Sequence, residues 1–300
     1  MDGNPQYVLD FHREHLAGLD LAGQRVLEIG SGYGELIRIM LEAHPDVGRI
    51  AGINWPPLEL PDFGPKADVS GMDAGDMDFA DDSFDVVCSL ATFEHLPDLT
   101  AAFGEINRVL APGGLLIAKW SPIWSGFDGH HFGPILSGPG DAPIALPWAH
   151  LMFDRESLPG YLVHGEGFTH ERAEDAADRI YGSTWLNRYT VHEYRAVITQ
   201  SDLVVDRLDA VRCDFGGMLT SIGAKIAGGV LNPERVARFF RSRDEEELLA
   251  YKMNARLRKP GHGSNSDVQS SPGEGRAVKN GRYRTRTCDL AGVIRFERTR

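Results

Sequence analysis

The chain has 300 residues, of which 42% are hydrophobic and 25% charged, as in an ordinary globular protein with a sizeable core. Its net charge of -12 argues against general nucleic-acid binding, because an acidic surface repels phosphate. The charge is uneven: 11 of the 31 Lys and Arg residues follow residue 254, against 4 of the 43 Asp and Glu residues. We therefore expect an acidic folded body and a separate basic C-terminal tail.

The chain contains three cysteines, Cys88, Cys213 and Cys288, and no Cys-x-x-Cys pair. An odd, widely spaced set predicts neither a disulfide framework nor a zinc site, so we expect a protein of the reducing cytoplasm. The N-terminal segment has acids and histidines where a signal peptide has an apolar run. No apolar stretch approaches the length of a membrane span, so we expect no membrane partner.

Short apolar runs alternate with helical patterns through the first 120 residues. We expect helices at residues 7–19, 34–43 and 99–110, the first of them placed to cover a ligand site. We expect strands at residues 24–29, 49–53, 67–71, 84–90 and 115–120. This alternation predicts a doubly wound α/β fold, with a mostly parallel sheet covered by helices on both faces.

The alternation stops after residue 120 and resumes with a helix at residues 191–199 and a strand at 203–210. Residues 122–185 between them are rich in aromatic residues, and we interpret them as an insertion after strand five. It is either a lid over a small-molecule pocket or a packing or dimer surface. We predict one domain over residues 1–231, with its core at 20–121 and 186–231. A C-terminal helical segment at 232–259 and a disordered basic tail at 260–300 are expected to follow.

A glycine-rich loop joins the first strand to the next helix, with the sequence Glu28-Ile29-Gly30-Ser31-Gly32-Tyr33-Gly34. Glycine lets the backbone turn sharply and lets a ligand approach closely. A dinucleotide site has the spacing G-x-G-x-x-G, with its third glycine below a pyrophosphate. The spacing here is G-x-G-x-G, which suits a nucleoside ligand that has no pyrophosphate.

This loop resembles that of the class I S-adenosylmethionine-dependent methyltransferases, of the small-molecule group called type 11. Further segments match the family in order: the stretch from Met72 to Phe79, the entry into strand four at Asp82, and the turn Pro112-Gly113-Gly114 into strand five. The resemblance covers residues 24–120 well and 191–210 loosely. It implies a seven-stranded Rossmann-like sheet with a final antiparallel hairpin, and S-adenosylmethionine as cofactor.

The resemblance also implies which residues bind that cofactor. Asp73 would hydrogen-bond the adenine amino group, with Asp76 and Asp78 as rivals, and Ala74 would offer its backbone N–H to the ring. The family has an acid at the end of strand two for the ribose hydroxyls, whereas this chain has Asn54, which lacks the charge of a carboxylate. The full predicted cofactor set is Glu28, Gly30, Ser31, Gly32, Gly34, Asn54, Trp55, Asp73, Ala74 and Leu90.

Histidines supply the candidates for a general base, because their ordinary pKa lies near neutral pH. His95 follows strand four, and we favour a role in shaping the pocket over base catalysis. His130 and His131 lie in the insertion, with Asp128 as an orienting partner; the alternative is that they only hydrogen-bond backbone. His150 would complete a metal-ligand set with these residues, but its spacing matches no known motif, so we predict no metal site.

The predicted function is methyl transfer to a small-molecule acceptor, most simply O-methylation in a biosynthetic pathway. An NAD(P)-dependent oxidoreductase is the first alternative, and the glycine spacing and the Asp73 segment count against it. A non-catalytic, methyltransferase-like binding protein is the second, and Asn54 is the feature that favours it. The sequence identifies neither the acceptor nor the oligomeric state.

Overall fold

The computed structural model describes residues 5–132, 143–213 and 215–261, together with the backbone of two short C-terminal strands, Arg284–Thr285 and Phe296–Glu297. The chain divides into two compact units. The first comprises residues 1–124, 184–211 and 252–262, and the second residues 125–183, 212–251 and 263–300. Within the described part, no helix combines the length and the apolar character that crossing a membrane requires. The expected disordered tail lies almost wholly outside the described residues.

Seven strands form one mixed sheet. They are β1 (Arg25–Ile29), β2 (Arg49–Asn54), β3 (Ala67–Gly71), β4 (Phe84–Leu90), β5 (Leu110–Trp120), β6 (Val204–Arg212) and β7 (Ala250–Arg258), in the order β3-β2-β1-β4-β5-β7-β6. Strands β1 to β5 pair in parallel, and β7 pairs antiparallel with β5. The predicted α/β fold with a mostly parallel seven-stranded sheet is thus confirmed.

Ten α-helices accompany the sheet in the described residues. They are α1 (Pro5–Phe11), α2 (Glu35–Ala43), α3 (Leu99–Val109), α4 (Ala149–Met152), α5 (Leu158–Glu166), α6 (His170–Ala177), α7 (Val191–Gln200), α8 (Phe215–Ala227), α9 (Pro233–Arg241) and α10 (Glu245–Leu249). One-turn π-helical segments follow α1 and α6, at His12–Leu16 and Asp178–Gly182, and a 3₁₀ turn lies at Phe93–His95.

Side chains at the helix starts fix several of these boundaries. The Asp98 carboxylate accepts a hydrogen bond from the Ala101 backbone N–H at the start of α3. Thr190 and Glu193 form a reciprocal capping box at the start of α7. Such caps satisfy backbone N–H groups that have no partner inside the helix. The expected and observed starts of these two helices agree for this reason.

Both faces of the sheet in the first unit are covered by apolar side chains. One face packs against α1, its π-helical extension and α2, with a core of buried residues that includes Phe11, Leu16, Val26, Ile37, Met40, Val86 and Ile117. On β5, Trp120 contacts the Phe93 and Tyr194 rings at centroid distances of 5.3 and 5.2 Å. Burial of this kind stabilises a fold by about 25 cal/mol per Å² of apolar surface.

The last strand corrects the expectation of a helical segment over residues 232–259. Helices α9 and α10 occupy its first part, but residues 250–258 form β7. The buried side chains of β7 alternate with less buried ones. Its buried residues include Met253, Ala255 and Leu257, and its exposed residues are Arg256 and Arg258. This two-residue period is the pattern of a strand, and the charges that suggested a solvated helix lie on its exposed positions.

The connection between β6 and β7 also differs from the hairpin that the resemblance implied. Helices α8, α9 and α10 lie between these strands in sequence, and β7 lies between β5 and β6 in the sheet. Residues 212–231 belong to the second unit rather than to the expected core. This assignment was not predictable from the sequence, because the helical pattern of residues 215–227 suits either unit.

The second unit has an aromatic core of its own. Trp148 is fully buried, packs edge-on against Phe240 at a centroid distance of 5.7 Å, and donates a hydrogen bond to the Leu248 carbonyl at 3.2 Å. Part of the aromatic content of the insertion therefore stabilises the unit itself. The lid role of residues 122–185 stays a prediction.

Candidate active site

The glycine loop joins β1 to α2 and has a backbone that other residues adopt poorly. Gly30, Gly32 and Gly34 have φ angles of +76°, +53° and +79°. A Cβ on Gly30 would lie 2.0 Å from Thr92 Oγ1, and one on Gly34 would lie 2.2 Å from the Phe63 ring. Glycine is therefore required here by backbone conformation and by close approach.

Glu28, at the end of β1, is the most unusual side chain near the loop. It is 3% exposed, and its Oε2 atom has no hydrogen-bond partner among the described residues. Burial raises the pKa of Glu28 to about 8, with a smaller contribution from the charge of Glu35. A buried carboxyl without a full set of partners is costly. A cationic or hydrogen-bond-donating ligand group would remove that cost.

Ser31 also carries an unsatisfied polar atom. Its side chain is 3% exposed, and its Oγ has no partner within the part of the chain that the structure describes. A Cβ on Gly52 of β2 would lie 2.8 Å from this oxygen, so glycine at that position leaves room for the hydroxyl. The loop thus offers two buried polar groups at one end of β1.

Asn54, at the end of β2, holds the loop in place. Its Oδ1 accepts a hydrogen bond from Gly32 N at 2.9 Å, and its Nδ2 donates one to Gly32 O at 3.0 Å. This pair of bonds needs one donor and one acceptor on the same side chain, which an amide has and a carboxylate lacks. The departure from an acidic residue at this position therefore has a structural reason.

The remaining predicted adenine-site residues follow β2 and β3. Trp55 is 71% exposed and so presents a ring face to solvent. Asp73 and Asp76 line a cavity of about 180 Å³ together with Leu96 and Ala101. The Asp73 Oδ1 accepts a hydrogen bond from Gly75 N at 2.8 Å. Of the other two predicted residues, Ala74 is buried and Leu90 is half-buried.

The N-terminal helix is tied to the end of β5 by a buried cation. Lys119 is 4% exposed, and its Nζ lies 3.2 Å from Glu14 Oε2 and 5.0 Å from the centre of the Tyr7 ring. Ligands in open α/β sheets bind at the carboxyl ends of the strands, where Lys119 lies. This contact fits the expected covering role of residues 7–19.

Glu94 is a residue that the sequence reasoning missed. It lies in the 3₁₀ turn after β4, is 3% exposed, and its Oε1 accepts a hydrogen bond from Ser121 N at 3.2 Å. Its Oε2 has no partner among the described residues, and burial raises its pKa to about 8. Its position between Phe93 and His95, at the end of a buried strand, was the only available signal.

His95 lies beside Glu94 and is held by backbone. Its Nδ1 is 2.8 Å from the Trp185 carbonyl oxygen, and its ring stacks on the Trp185 ring at 4.9 Å. Burial lowers the pKa of His95 below its ordinary value, so the ring is neutral at pH 7. The pocket-shaping role that we favoured for this residue stays a prediction.

The second unit brings together the other predicted histidines. Asp128, His130, His131 and His150 are all buried, and the His130 and His150 rings lie edge to face at 5.1 Å. His130 Nδ1 accepts a hydrogen bond from Phe132 N at 2.9 Å, so the neutral ring carries its proton on Nε2. Burial lowers the pKa of His130 well below its ordinary value.

Asp128 does not orient His130 as expected. Its Oδ1 lies 3.7 Å from His130 Nδ1, which is too long for a hydrogen bond, and that nitrogen already accepts from backbone. Burial raises the pKa of Asp128 to about 7. His131 has a φ of +61°, and its Nδ1 lies 3.1 Å from the Gly129 oxygen. Both histidines thus make the backbone contacts that the alternative interpretation described.

The first unit is an α/β domain whose strand order reverses between β1 and β4, with a glycine loop and buried polar groups at that point. Residues 27–118 match the family described as the methyltransferase domain. This match supports, for this part of the chain, the resemblance to the class I methyltransferases.

Individual relatives agree with this family. The chain is 33% identical over 111 residues to a demethylmenaquinone methyltransferase of Thermus thermophilus, covering 35% of this chain and 50% of that protein. It is 32% identical over 121 residues to a ubiquinone biosynthesis O-methyltransferase of Cereibacter sphaeroides, covering 38% and 48%. The chain spans about half the length of the curated relatives that it matches.

Among solved structures, the chain matches an S-adenosylmethionine-dependent methyltransferase from Mesorhizobium loti. The TM-score is 0.47 at 14% sequence identity, over 86% of this chain and 99% of that one.

Proposed function

We propose that this protein is an S-adenosylmethionine-dependent methyltransferase that acts on a small-molecule hydroxyl. The observation that carries the proposal is the buried Glu28, whose Oε2 lacks a partner among the described residues beside a loop that only glycine can form. S-adenosylmethionine carries two cationic groups, an ammonium and a sulfonium. Burial alone disfavours the ionised form of a carboxyl, and a cation that pairs with the carboxylate stabilises that form.

The donor groups of the first unit fit the rest of the cofactor. Ser31 supplies a buried hydroxyl without a partner in the described structure, and the exposed Trp55 supplies a ring on which a purine can stack. The Asn54 amide keeps one hydrogen and one lone pair beyond its two bonds to Gly32, and these suit ribose hydroxyls. Asp73 and Ala74 would receive the adenine amino group and ring edge.

When bound, the cofactor supplies an activated methyl group and its leaving group. The protein must then bring the acceptor oxygen into line with that group and exclude water, which contributes much of the rate in such displacements. A neutral histidine takes a hydroxyl proton through a nitrogen that carries no proton. In His130 that nitrogen, Nδ1, already accepts from Phe132 N. Of the two histidines, His131 is therefore the candidate base, with His95 shaping the pocket. The Cereibacter relative is named as an O-methyltransferase, which supports a hydroxyl acceptor.

An NAD(P)-dependent oxidoreductase is the competing enzyme class. The loop spacing disfavours it, because the third glycine of the dinucleotide pattern would fall at position 35, where this chain has Glu35. Calorimetric titration with S-adenosylmethionine, S-adenosylhomocysteine and NAD separates the two. We expect saturable 1:1 binding of the first two and none of NAD; binding of NAD alone would refute the proposal.

Catalysis is tested separately from binding, because a non-catalytic binding protein would also bind the cofactor. The protein is incubated with methyl-labelled S-adenosylmethionine and a panel of phenolic and aliphatic alcohols, and methylated products are identified by mass spectrometry. We expect label in the oxygen-linked methyl of one acceptor class. Loss of that product in His131→Ala, with cofactor affinity unchanged, would support His131 as the base.

A further inference from the structure

The second unit contains a cavity that the proposed methyl-transfer chemistry does not use. Its volume is about 470 Å³, and it lies between α5 and the start of α9. Small-molecule sites in proteins occupy about 300–1,000 Å³ and combine apolar walls with a few polar groups. The lining here has both, with Phe153, Tyr161 and Val230 as apolar members and His164 and Arg235 as polar ones.

One wall of this cavity is a stacked aromatic pair. The Phe153 and Tyr161 rings have centroids 4.7 Å apart and planes inclined by 25°. Gly165 lets this wall pack closely, since a Cβ there would lie 2.7 Å from both Tyr161 and Val230. The Tyr161 hydroxyl donates a hydrogen bond to Glu166 Oε1 at 2.5 Å, which fixes the ring. The wall is thus preorganised to receive a flat apolar group.

Two cations flank the stacked pair, and among the described residues only one of them forms an ion pair. Lys225 lies 5.7 Å from the Tyr161 ring centre, and its charge is balanced by Glu166 at 3.0 Å. The Arg235 guanidinium lies 4.7 Å from the Phe153 ring centre and donates one hydrogen bond, from Nη1 to the Met152 carbonyl at 3.0 Å. Among the described residues, Arg235 has no carboxylate partner.

Arg235 therefore retains donors for an anion. A guanidinium has five N–H groups in a planar fork that matches a carboxylate, and the Met152 carbonyl uses one of them. A single positive charge that forms no ion pair among the described residues suits a monoanion better than a phosphate dianion. Hydrogen bonds from Ser157 are the main cause that lowers the pKa of Asp154, and the charge of Arg235 contributes less. The Asp154 carboxylate is therefore near enough to Arg235 to repel a second negative charge on a ligand.

We propose that this cavity binds a small aromatic monocarboxylate, with its ring against Phe153 and Tyr161 and its carboxylate on Arg235. The inference does not rest on the proposed methyl transfer, because the site is built wholly within the second unit and is tested without cofactor. Its failure would leave the methyltransferase proposal intact, and the reverse also holds.

The test is calorimetric titration of the full chain with benzoate, 4-hydroxybenzoate and phenylacetate, and with benzamide as a neutral isostere. We expect saturable 1:1 binding of at least one carboxylate and binding of benzamide weaker by about tenfold or more, since hydrogen bonds to charged groups are the stronger ones. The absence of saturable binding of all three carboxylates at millimolar concentration would overturn the proposal.

Variants locate the site. Arg235→Gln should weaken carboxylate binding by about tenfold or more. Arg238→Gln, an exposed arginine of the same helix outside the cavity lining, should leave affinity within about twofold. Val230→Trp should block binding by filling the cavity, and circular dichroism checks that each variant is folded. Equal affinity in Arg235→Gln and Arg238→Gln would place the carboxylate elsewhere and refute the assignment.

Discussion

Proton linkage at Glu28 provides a test of how the cofactor is bound. Without ligand, burial holds the pKa of Glu28 at about 8, so the carboxyl is protonated at pH 7. The cationic end of S-adenosylmethionine needs the ionised form. Binding must therefore release a proton at neutral pH, and affinity must rise as pH rises toward 8 and become level above it.

The size of the effect follows from the pKa. At pH 7, about one Glu28 side chain in eleven is ionised if its pKa is about 8. A ligand that binds only the ionised form has its affinity reduced by that fraction, so affinity at pH 7 should be about tenfold lower than at pH 9. For each pH unit below the pKa of Glu28, the binding free energy becomes less favourable by about 1.4 kcal/mol. The expected proton release at pH 7 approaches one per ligand bound.

The assay is isothermal titration calorimetry from pH 6 to 9, repeated in buffers of different ionisation enthalpy to count released protons. Glu28→Gln is the matched control, because any titration of the ligand itself occurs in both proteins. We expect this variant to bind more weakly than the wild type above pH 8 and to lose the proton release assigned to Glu28. The same pH profile and proton count in both proteins would refute a role for Glu28 as the partner of the cationic group.

Three further predictions concern the loop and the end of β4. Gly30→Ala and Gly113→Ala both place a side chain at positive φ, which costs about 1–3 kcal/mol of stability. Only the Cβ at position 30 would lie 2.0 Å from another atom, so we expect Gly30→Ala alone to abolish cofactor binding. Equal cofactor binding in the two variants would contradict this. Asn54→Asp introduces the acid that the family has at this position, but it places a carboxylate oxygen against the Gly32 carbonyl. The free energy of unfolding measured in urea should therefore fall by about 1–3 kcal/mol. An unchanged or increased free energy of unfolding would be inconsistent with the observed pair of hydrogen bonds. Burial raises the pKa of Glu94 in the folded protein to about 8, so folding favours the protonated carboxyl. Glu94 therefore does not lower the free energy of unfolding at a pH below the ordinary pKa of a glutamate. As pH rises from that value to 8, the protein loses stability because of Glu94. Glu94→Gln should therefore match the wild type near pH 4 and exceed it in melting temperature at pH 8.5; identical melting curves at pH 8.5 would rule this out.

The sheet of the first unit was largely predictable because its strands are buried and bounded by strong signals. The expected limits of β3 and β4 agree with those observed. β4 is a largely apolar run that ends at a turn, whereas β3 is a weaker, mostly half-buried strand that ends at Gly71. β7 was not predictable in the same way. Its exposed arginines resemble a solvated helix face, and β5, the strand with which it pairs, lies more than 100 residues earlier in the chain.

Only part of the candidate site was predictable from the sequence. Local backbone demands are visible in sequence, so the glycine loop could be identified from Gly30, Gly32 and Gly34 alone. Contacts between distant segments are not visible. The pairing of Asn54 with Gly32 and the hydrogen bond from Ser121 to Glu94 depend on how neighbouring strands end at one edge of the sheet. For this reason the sequence analysis predicted Asn54 only as a ribose-binding residue that lacks the charge of a carboxylate, and it did not single out Glu94.

Cofactor identity is the central claim, and one binding experiment tests it directly. The wild-type chain and Gly30→Ala are titrated with S-adenosylmethionine and with NAD at pH 8.5, where Glu28 is largely ionised. We predict saturable 1:1 binding of S-adenosylmethionine to the wild type, no binding of NAD, and loss of S-adenosylmethionine binding in a folded Gly30→Ala variant. Binding of NAD by the wild type, or undiminished binding of S-adenosylmethionine by Gly30→Ala, would contradict the account.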